Sequence, residues 1–132
     1  MDPIEISAAG MRAQRARMDL IAANLANVET TSARAEQRDG ELRHVPYRRR
    51  IASILEGSNG LPVVKVTEDA SPFRAERQPG HPHAAGGTVL FPNVNPMVEM
   101  VDMIAASRAY EANLTAVEVA KAMNQSALRI LG

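Results

Sequence analysis

The sequence contains no cysteine and no tryptophan, and it has only two tyrosines and two phenylalanines among 132 residues. Without cysteine the chain forms no disulfide, carries no thiolate nucleophile and offers no Cys-ligated zinc site. Because large aromatic side chains supply much of an ordinary core, any core here must be aliphatic and thin. We expect one folding unit, since a chain of this length does not supply two full-sized cores.

Charge of one sign and long apolar runs are also missing. Fifteen Lys and Arg residues balance fifteen Asp and Glu residues, so no net field draws the chain to nucleic acid or to an anionic membrane. No run of about 18 apolar residues is present, and we therefore predict no membrane insertion. Residues 1–14 show no basic segment followed by an apolar one, so no cleaved secretory signal is expected.

Proline and glycine are concentrated in the middle of the chain. Six of the eight prolines and six of the eight glycines fall between Val28 and Asn93. Residues of this kind interrupt helices, so the uninterrupted ends are the helical parts. This distribution predicts an N-terminal helix within 1–29, an insert of strands and loops over 30–93, and a C-terminal helix within 94–132.

The N-terminal helix is predicted from Pro3 to about Asn27. Asp2 suits the N-cap, and proline is tolerated at the first helical position because the N–H that it lacks has no partner there. Steps of three and four residues are the spacing of a coiled-coil seam. The predicted seam consists of Ile4, Ser7, Met11, Gln14, Met18, Ile21, Leu25 and Val28.

The C-terminal helix is predicted to begin at Asn95-Pro96, again a cap followed by proline, and to run to Leu131. Its apolar stripe is Met100, Met103, Ile104, Tyr110, Leu114, Val117, Ala120, Met123, Ala127 and Ile130. An amphipathic helix is stabilised mainly by packing of its apolar face, so the two helices are expected to cover each other. The predicted fold is mainly α, an antiparallel coiled coil with a small β-containing insert. Because the C-terminal helix is longer, part of its stripe should remain for other subunits.

Strands are predicted in the insert. Tyr47–Leu55 and Leu61–Val66 are enriched in β-branched residues around a turn, which indicates a β-hairpin. A third short strand is predicted over Thr88–Phe91. The segments Thr30–His44 and Ser71–Gly87 are predicted to be loops, because the first has little apolar content and the second is rich in Pro, Gly and His.

Two features suggest a ligand site. His81 and His83, together with His44, resemble a metal-binding set, but no carboxylate group completes it, and a polar loop is the competing interpretation. Arginines at 34, 38, 43 and 48–50 form the main basic patch, and a nucleic-acid-binding protein would use such a patch to contact phosphates. Acidic residues lie between these arginines, and side chains alternate between the two faces of a strand, so the positive charge is not concentrated on one surface. We predict neither a metal site nor nucleic-acid binding.

The sequence shows no complete set of catalytic residues. Ser107 and Thr115 lie on the predicted C-terminal helix with no adjacent histidine to activate a hydroxyl. Glu99 and Asp102 are interpreted as favourable charges at a helix start. No glycine-rich phosphate loop opens a helix. The prediction is therefore a non-enzymatic protein with no cofactor and no small-molecule substrate.

Two long segments resemble flagellar axial proteins. Met18–Thr31 (MDLIAANLANVETT) contains the core Asn24-Leu25-Ala26-Asn27, and Val98–Leu131 contains the run ASRAYEAN. Both are similar to the terminal helices of the flagellar basal-body rod protein family. The motif PYRRR at Pro46–Arg50 and the stretch Gly80–Asn95 resemble the middle of its proximal-rod type. Residues 84–88 depart from the pattern expected there.

This resemblance implies a structural subunit that polymerises through its terminal helices into the rod that transmits motor torque to the hook. It implies export by the flagellar type III apparatus without a cleaved signal, and a place in the periplasmic rod. The implied partners are further copies of the chain, other rod subunits and the export-gate and MS-ring side of the basal body. The alternative is a two-helix adaptor of a secretion system that does not polymerise.

The residues predicted to contact neighbouring subunits lie near the end of the first helix and along the second. They are Asn24, Leu25, Asn27, Met100, Met103, Ser107, Arg108, Tyr110, Glu111 and Asn113. Three of them have local alternatives. Asn24 and Asn27 suit a helix C-terminus, and Tyr110 suits a core position with its hydroxyl at the edge.

Overall fold

A computed structural model describes residues 2–132 as two long helices joined by an insert of three β-hairpins. Helix α1 (Pro3–Ala26) has 24 residues and helix α2 (Pro96–Leu131) has 36. The six strands are β1 (Arg34–Arg38), β2 (Glu41–Val45), β3 (Arg50–Glu56), β4 (Pro62–Glu68), β5 (Arg74–Arg77) and β6 (Thr88–Phe91). They pair as β1–β2, β3–β4 and β5–β6, each pair an antiparallel two-stranded sheet. The prediction of two helices around a small β-containing insert is confirmed.

Both helices begin as the sequence predicts. The Asp2 carboxylate accepts from the Ile4 N–H at 2.9 Å, and the Asn95 side-chain oxygen accepts from the Met97 N–H at 3.0 Å. Each cap precedes a proline at the first helical position, where its missing N–H costs nothing. Local chemistry therefore fixes where each helix starts.

The helices pack against each other in antiparallel orientation. Arg17 pairs with Asp102 at 3.9 Å, near the end of α1 and the start of α2. Toward the other end, the backbone at Gly10 comes so close to α2 that a β-carbon there would lie 2.9 Å from Asn113 Oδ1. Glycine at this position thus allows a close approach of the two helices.

The predicted seam of α1 matches the observed burial at only one position. Of its eight residues Ile21 alone is buried, and the other seven are half-buried. The buried residues of α1 are Ala9, Ala13, Ile21 and Asn24. Because α1 contacts both α2 and the β3–β4 hairpin, its buried surface is wider than one seam, and small residues occupy the closest contacts.

The insert is richer in strands than expected. The predicted β3–β4 hairpin and the strand Thr88–Phe91 are present, and β3 and β4 both contact α1. The predicted loop Thr30–His44 is wrong, because it holds the β1–β2 hairpin. The predicted loop Ser71–Gly87 is wrong in part, because it holds β5. Strands need no apolar face when both of their faces are solvated, and residues 33–43 are all exposed.

The turn between β1 and β2 shows why this hairpin forms. Asp39 and Gly40 have φ angles of 54° and 80°, so both central residues are in the left-handed region that a type I′ hairpin turn requires. The Asp-Gly dipeptide is one of the strongest local hairpin signals. Here its flanks are charged instead of alternating in hydropathy, and the sequence reading therefore missed it.

The core is as thin as the scarcity of aromatic residues predicts. Its buried apolar residues are Ala9, Ala13, Ile21, Tyr47, Val89, Phe91, Ala106 and Val117. Two of these, Val89 and Phe91, are inward-facing positions of β6, and they alternate with exposed Thr88 and Leu90. Within residues 2–132 neither helix combines the length and hydropathy that a membrane crossing demands.

The substitution Gly10→Leu tests the close approach of α1 to α2. Leucine favours helix more than glycine by roughly 0.8 kcal/mol, whereas forcing a side chain into a packed contact costs about 1–3 kcal/mol. We expect a net loss of stability, measured by urea denaturation followed by circular dichroism. Ala16→Leu on the exposed face of α1 is the matched control and should change stability by less than about 0.5 kcal/mol. Equal stability of the two variants would contradict the close contact.

Candidate functional site

Asn24 lies at the centre of a buried polar junction at one end of the helix pair. Its side chain is 1% exposed. The amide nitrogen donates to the Arg50 carbonyl at 2.8 Å and to Glu99 Oε2 at 3.2 Å. The amide oxygen accepts from the Tyr47 hydroxyl at 2.8 Å and from the Arg50 N–H at 3.1 Å. An asparagine side chain has two donors and two acceptor sites, and all four are used here.

Glu99 and Arg49 supply the charges of the junction. Glu99 is fully buried, and its second carboxylate oxygen accepts from Arg49 Nε. The guanidinium also reaches Asp69 at 3.2 Å and Asp102 at 3.5 Å. Burial alone would lower the pKa of Arg49, but the hydrogen bonds and charges of Glu99 and Asp69 outweigh it and hold that pKa above its ordinary value. Removal of one partner of such a pair costs about 3–5 kcal/mol.

The ends of β3–β4 and the start of α2 are tied to the same junction. Asn93 accepts from the Arg49 N–H at 2.8 Å and donates to the carbonyls of Asp69 and Ser71 at 3.1 Å each. Arg48 donates to the same two carbonyls. Hydrogen bonds from the Ser71 hydroxyl and N–H lower the pKa of Asp69, and Arg49 lowers it further. The junction thus joins α1, the β3–β4 hairpin and α2 through fully paired groups.

Asn27, the second asparagine of the Asn-Leu-Ala-Asn core, caps α1. Its side-chain nitrogen donates to the Ala23 carbonyl at 2.8 Å, and its side-chain oxygen accepts from the Thr30 hydroxyl at 3.1 Å. These bonds satisfy groups that a helix end leaves open. Both asparagines therefore have intramolecular partners.

A second feature is the exposed apolar surface of α2. Met97, Met100, Val101 and Ile104 are 70%, 53%, 62% and 58% exposed. They are spaced by three and four residues, so they form one stripe, which we call the outer stripe. Buried Glu99 and Ala106 lie on the opposite side. The α2 helix therefore presents apolar side chains away from α1.

The outer stripe continues beside a shallow hollow of about 370 Å³. The hollow is lined by Met103, Ile104, Ser107, Arg108 and Glu111, four of which the sequence predicts as contact residues. Within residues 2–132, neither Arg108 nor Glu111 forms an ion pair. These side chains are available to groups outside the chain.

The remaining predicted contact residues are in different surroundings. Leu25, Tyr110 and Asn113 are half-buried, and the Asn113 side chain donates to the Ala109 carbonyl at 2.9 Å. The predicted α2 residues therefore lie along one helix, whereas Asn24 is buried in the junction at the start of that helix.

The last third of α2 extends beyond α1. Every residue from Lys121 to Leu131 is exposed. Among them Met123, Leu128, Ile130 and Leu131 are 67–85% exposed. An isolated helix end of this kind is marginal in water, because helices depend on packing of their apolar side chains.

In the part of the chain that the structure describes, neither the histidine metal set nor the arginine patch forms a complete ligand site. Among residues 2–132 the structure contains no group of three His, Cys, Asp or Glu side chains arranged to hold a metal ion. The three consecutive arginines diverge, although Arg48 and Arg49 precede β3, which begins at Arg50. Arg49 enters the buried junction, whereas the Arg48 guanidinium lies 4.1 Å from the Phe73 ring centroid and that of Arg50 lies 5.6 Å from the Tyr47 ring centroid.

Sequence reasoning missed the role of Glu99. It was assigned to helix-start electrostatics alone, whereas the structure buries it against Arg49 and Asn24. Its spacing from buried Ala106 and Val117 on α2 places it on the inner face of the helix. A charged residue on that face requires a buried partner, and that pattern is the signal that could have identified it.

Comparisons with known proteins match both helices. Residues 4–34 match the family described as flagella basal body rod protein, and residues 85–130 match the C-terminal family of flagellar basal body rod FlgEFG proteins. The flagellar basal-body rod protein FlgC of Bacillus subtilis is 42% identical over 96% of this chain and 95% of its own length. FlgC proteins of Borreliella burgdorferi (97% and 95% coverage) and Aquifex aeolicus (89% and 87%) are 38% and 39% identical.

The substitution Asn24→Ala tests the junction. It leaves the Tyr47 hydroxyl, the Arg50 backbone and one oxygen of Glu99 without their partner, and each buried unsatisfied group costs about 1–3 kcal/mol. We expect a loss of at least about 2 kcal/mol in the free energy of unfolding, measured by urea denaturation. Asn113→Ala, which removes an asparagine with a single side-chain hydrogen bond, is the matched control. A loss no larger than that of the control would show that the junction contributes little to stability.

Proposed function

The chain belongs to the FlgC family of flagellar basal-body rod proteins, and from this membership we propose that it is a rod subunit that polymerises through α1 and α2. In this role it is a structural component and not an enzyme. The rod would be the drive shaft that carries motor torque to the hook. The observation that carries the proposal is the apolar surface of α2 that the chain itself leaves uncovered.

The uncovered surface suits an assembly of helices. The outer stripe and the projecting end of α2 place seven apolar residues that are at least 58% exposed, and Met100 at 53%, on one 36-residue helix. Apolar surface contributes about 25 cal/mol per Å² when it is removed from water. Helices of neighbouring subunits would cover this surface, with coiled-coil packing extended along the projecting end of α2.

The proposed contact surface is the outer stripe with the hollow beside it. Met100, Met103 and Ser107 would pack against the neighbour, and methionine adapts to irregular contacts of the kind that non-identical subunits make. Arg108 and Glu111, which have no ion partner in the described chain, would pair across the interface. Leu25, Asn27, Tyr110 and Asn113 would contribute at its margins. Asn24 would act indirectly, by holding the two helices in register.

The neighbours would be further copies of the chain, other rod subunits, and the export-gate and MS-ring side of the basal body. The subunit would reach the periplasm through the flagellar type III apparatus without a cleaved signal. A proximal position in the rod fits the short insert between the helices. The competing function, a secretion-system adaptor, would use the same two helices but would not polymerise.

Amide hydrogen exchange of the purified chain over a concentration series distinguishes these functions. We expect residues 121–131 to exchange rapidly in the isolated chain, because nothing packs on them. Protection should appear there on self-association or when other rod subunits are added. Slow exchange throughout a species that is independent of concentration would support the adaptor instead.

The substitution Met100→Glu tests the outer stripe directly. Methionine and glutamate have similar helix propensities, and the side chain is exposed, so the isolated chain should keep its melting temperature. Association with itself or with other rod subunits, measured by sedimentation velocity, should weaken at least about tenfold, which corresponds to roughly 1.4 kcal/mol. Leu42→Glu, at an apolar residue of β2 that is 63% exposed, is the matched control. Equal weakening by both variants would place the contact elsewhere.

A further inference from the structure

All three histidines of the chain lie together, although they come from two distant segments. The ring centroids of His44 and His83 are 4.2 Å apart, and those of His81 and His83 are 5.3 Å apart. The His81 ring also lies 6.4 Å from the Phe91 ring, edge to face. We call His44, His81 and His83 the histidine cluster.

The Nδ1 atom of each of these rings has a hydrogen-bond partner. That of His83 pairs with the Thr31 hydroxyl at 2.7 Å, and that of His44 pairs with the Ser32 hydroxyl at 2.8 Å. His81 Nδ1 accepts from the backbone N–H of His83 at 3.0 Å. A charged imidazole carries a proton on both nitrogens and accepts no hydrogen bond. Protonation of His81 therefore removes the bond that positions His83.

The histidine cluster connects parts of the insert that share few other contacts. His44 belongs to β2, whereas His81 and His83 lie in the loop between β5 and β6. Neither β1 nor β2 packs closely on any other helix or strand in residues 2–132. Thr31 and Ser32 lie just before the hairpin. The cluster is therefore the main link from the β1–β2 hairpin to the β5–β6 unit.

On the β5–β6 side, Arg74 and Glu76 are paired, whereas Arg77 of β5 forms no ion pair within residues 2–132. The Arg74 guanidinium lies 4.8 Å from the Phe91 ring centroid and forms ion pairs with Glu29 at 3.8 Å and Glu76 at 3.3 Å.

On the hairpin side, Arg34 and Glu36 of β1 pair with each other at 2.9 Å, and Glu36 faces Arg43 across the sheet. Within residues 2–132 no histidine forms an ion pair with a carboxylate. No neighbouring anion thus compensates a charge on the histidine cluster.

We propose that the histidine cluster is an acid-sensitive latch that holds the β1–β2 hairpin against the β5–β6 loop when neutral and releases it when protonated. Two positively charged imidazole rings at these distances repel each other, so the closed arrangement disfavours protonation. Desolvation, followed by the positive charges of His44 and His81, lowers the pKa of His83. Because the pKa of His83 is lowered in the closed state, the open state binds a proton at a higher pH than the closed state does. The latch is therefore closed above the ordinary histidine pKa and opens as pH falls below it.

The test is an NMR titration of the full chain from pH 7.5 to pH 5.5, a range that Asp and Glu side chains disturb little. Imidazole signals give the protonation of each histidine, and amide protection factors give the closed fraction. We expect the backbone amide of His83 and the amides of the β1–β2 hairpin to lose protection as pH falls. Uptake of one proton on opening allows a loss of up to roughly tenfold per pH unit. Amides of β3 and β4 should stay protected.

Two variants separate the latch from a general acid effect. The double substitution His81→Gln and His83→Gln keeps a hydrogen-bonding group at both positions but removes both titrating rings of the β5–β6 loop, so the hairpin amides should lose most of their acid response. Glu36→Gln removes a charge from the same hairpin outside the histidine cluster and should keep the response. The inference is overturned if wild-type hairpin protection is unchanged down to pH 5.5, or if the double variant loses protection as steeply as the wild type does. Neither outcome bears on assembly through α2.

Discussion

The hydrogen bonds of Asn24 and the buried ion pair between Glu99 and Arg49 hold the end of α1, the start of α2 and the β3–β4 hairpin at one point. Apolar contacts elsewhere are few and small, and they favour burial without fixing one arrangement. A buried polar group is tolerated only when its partners are in place. The junction therefore determines the register of the helices, and alanine and glycine then let them approach along the rest of their contact.

The two sides of α2 differ in whether their side chains are buried within the chain. Its inner side carries Glu99, Ala106 and Val117, which are satisfied within the chain. Its outer side carries Met97, Val101 and Ile104, which remain exposed. Covering these exposed apolar side chains by association would add to the stability of the isolated chain. The inner side of α2 therefore stabilises the fold of the subunit, whereas the outer side is suited to contacts between subunits.

Features with local causes were predictable from the sequence. The caps at Asp2 and Asn95 fixed the helix starts, and β-branched residues indicated β3 and β4. The β1–β2 hairpin was missed because its Asp39-Gly40 turn is flanked by charged residues. The seam of α1 was placed only approximately, because packing against both α2 and β3–β4 buries more than one face. Glu99 was misinterpreted because its partner Arg49 is distant in sequence: helical spacing places Glu99 on the inner face of α2 but does not indicate which residue it meets there.

The sequence distances spanned by the junction constrain the order in which the chain folds. Asn24 meets Glu99 across 75 residues, and Arg49 meets it across 50. Contacts between distant segments form late, because the loop entropy is lost before they stabilise anything. In a chain that emerges from a ribosome or a narrow channel with its N-terminus first, Asn24 can meet Tyr47 and Arg50 early, but the buried charge that Arg49 requires is missing until Glu99 has followed. The junction therefore stays incomplete, and the chain keeps more of its conformational freedom, until residue 99 arrives.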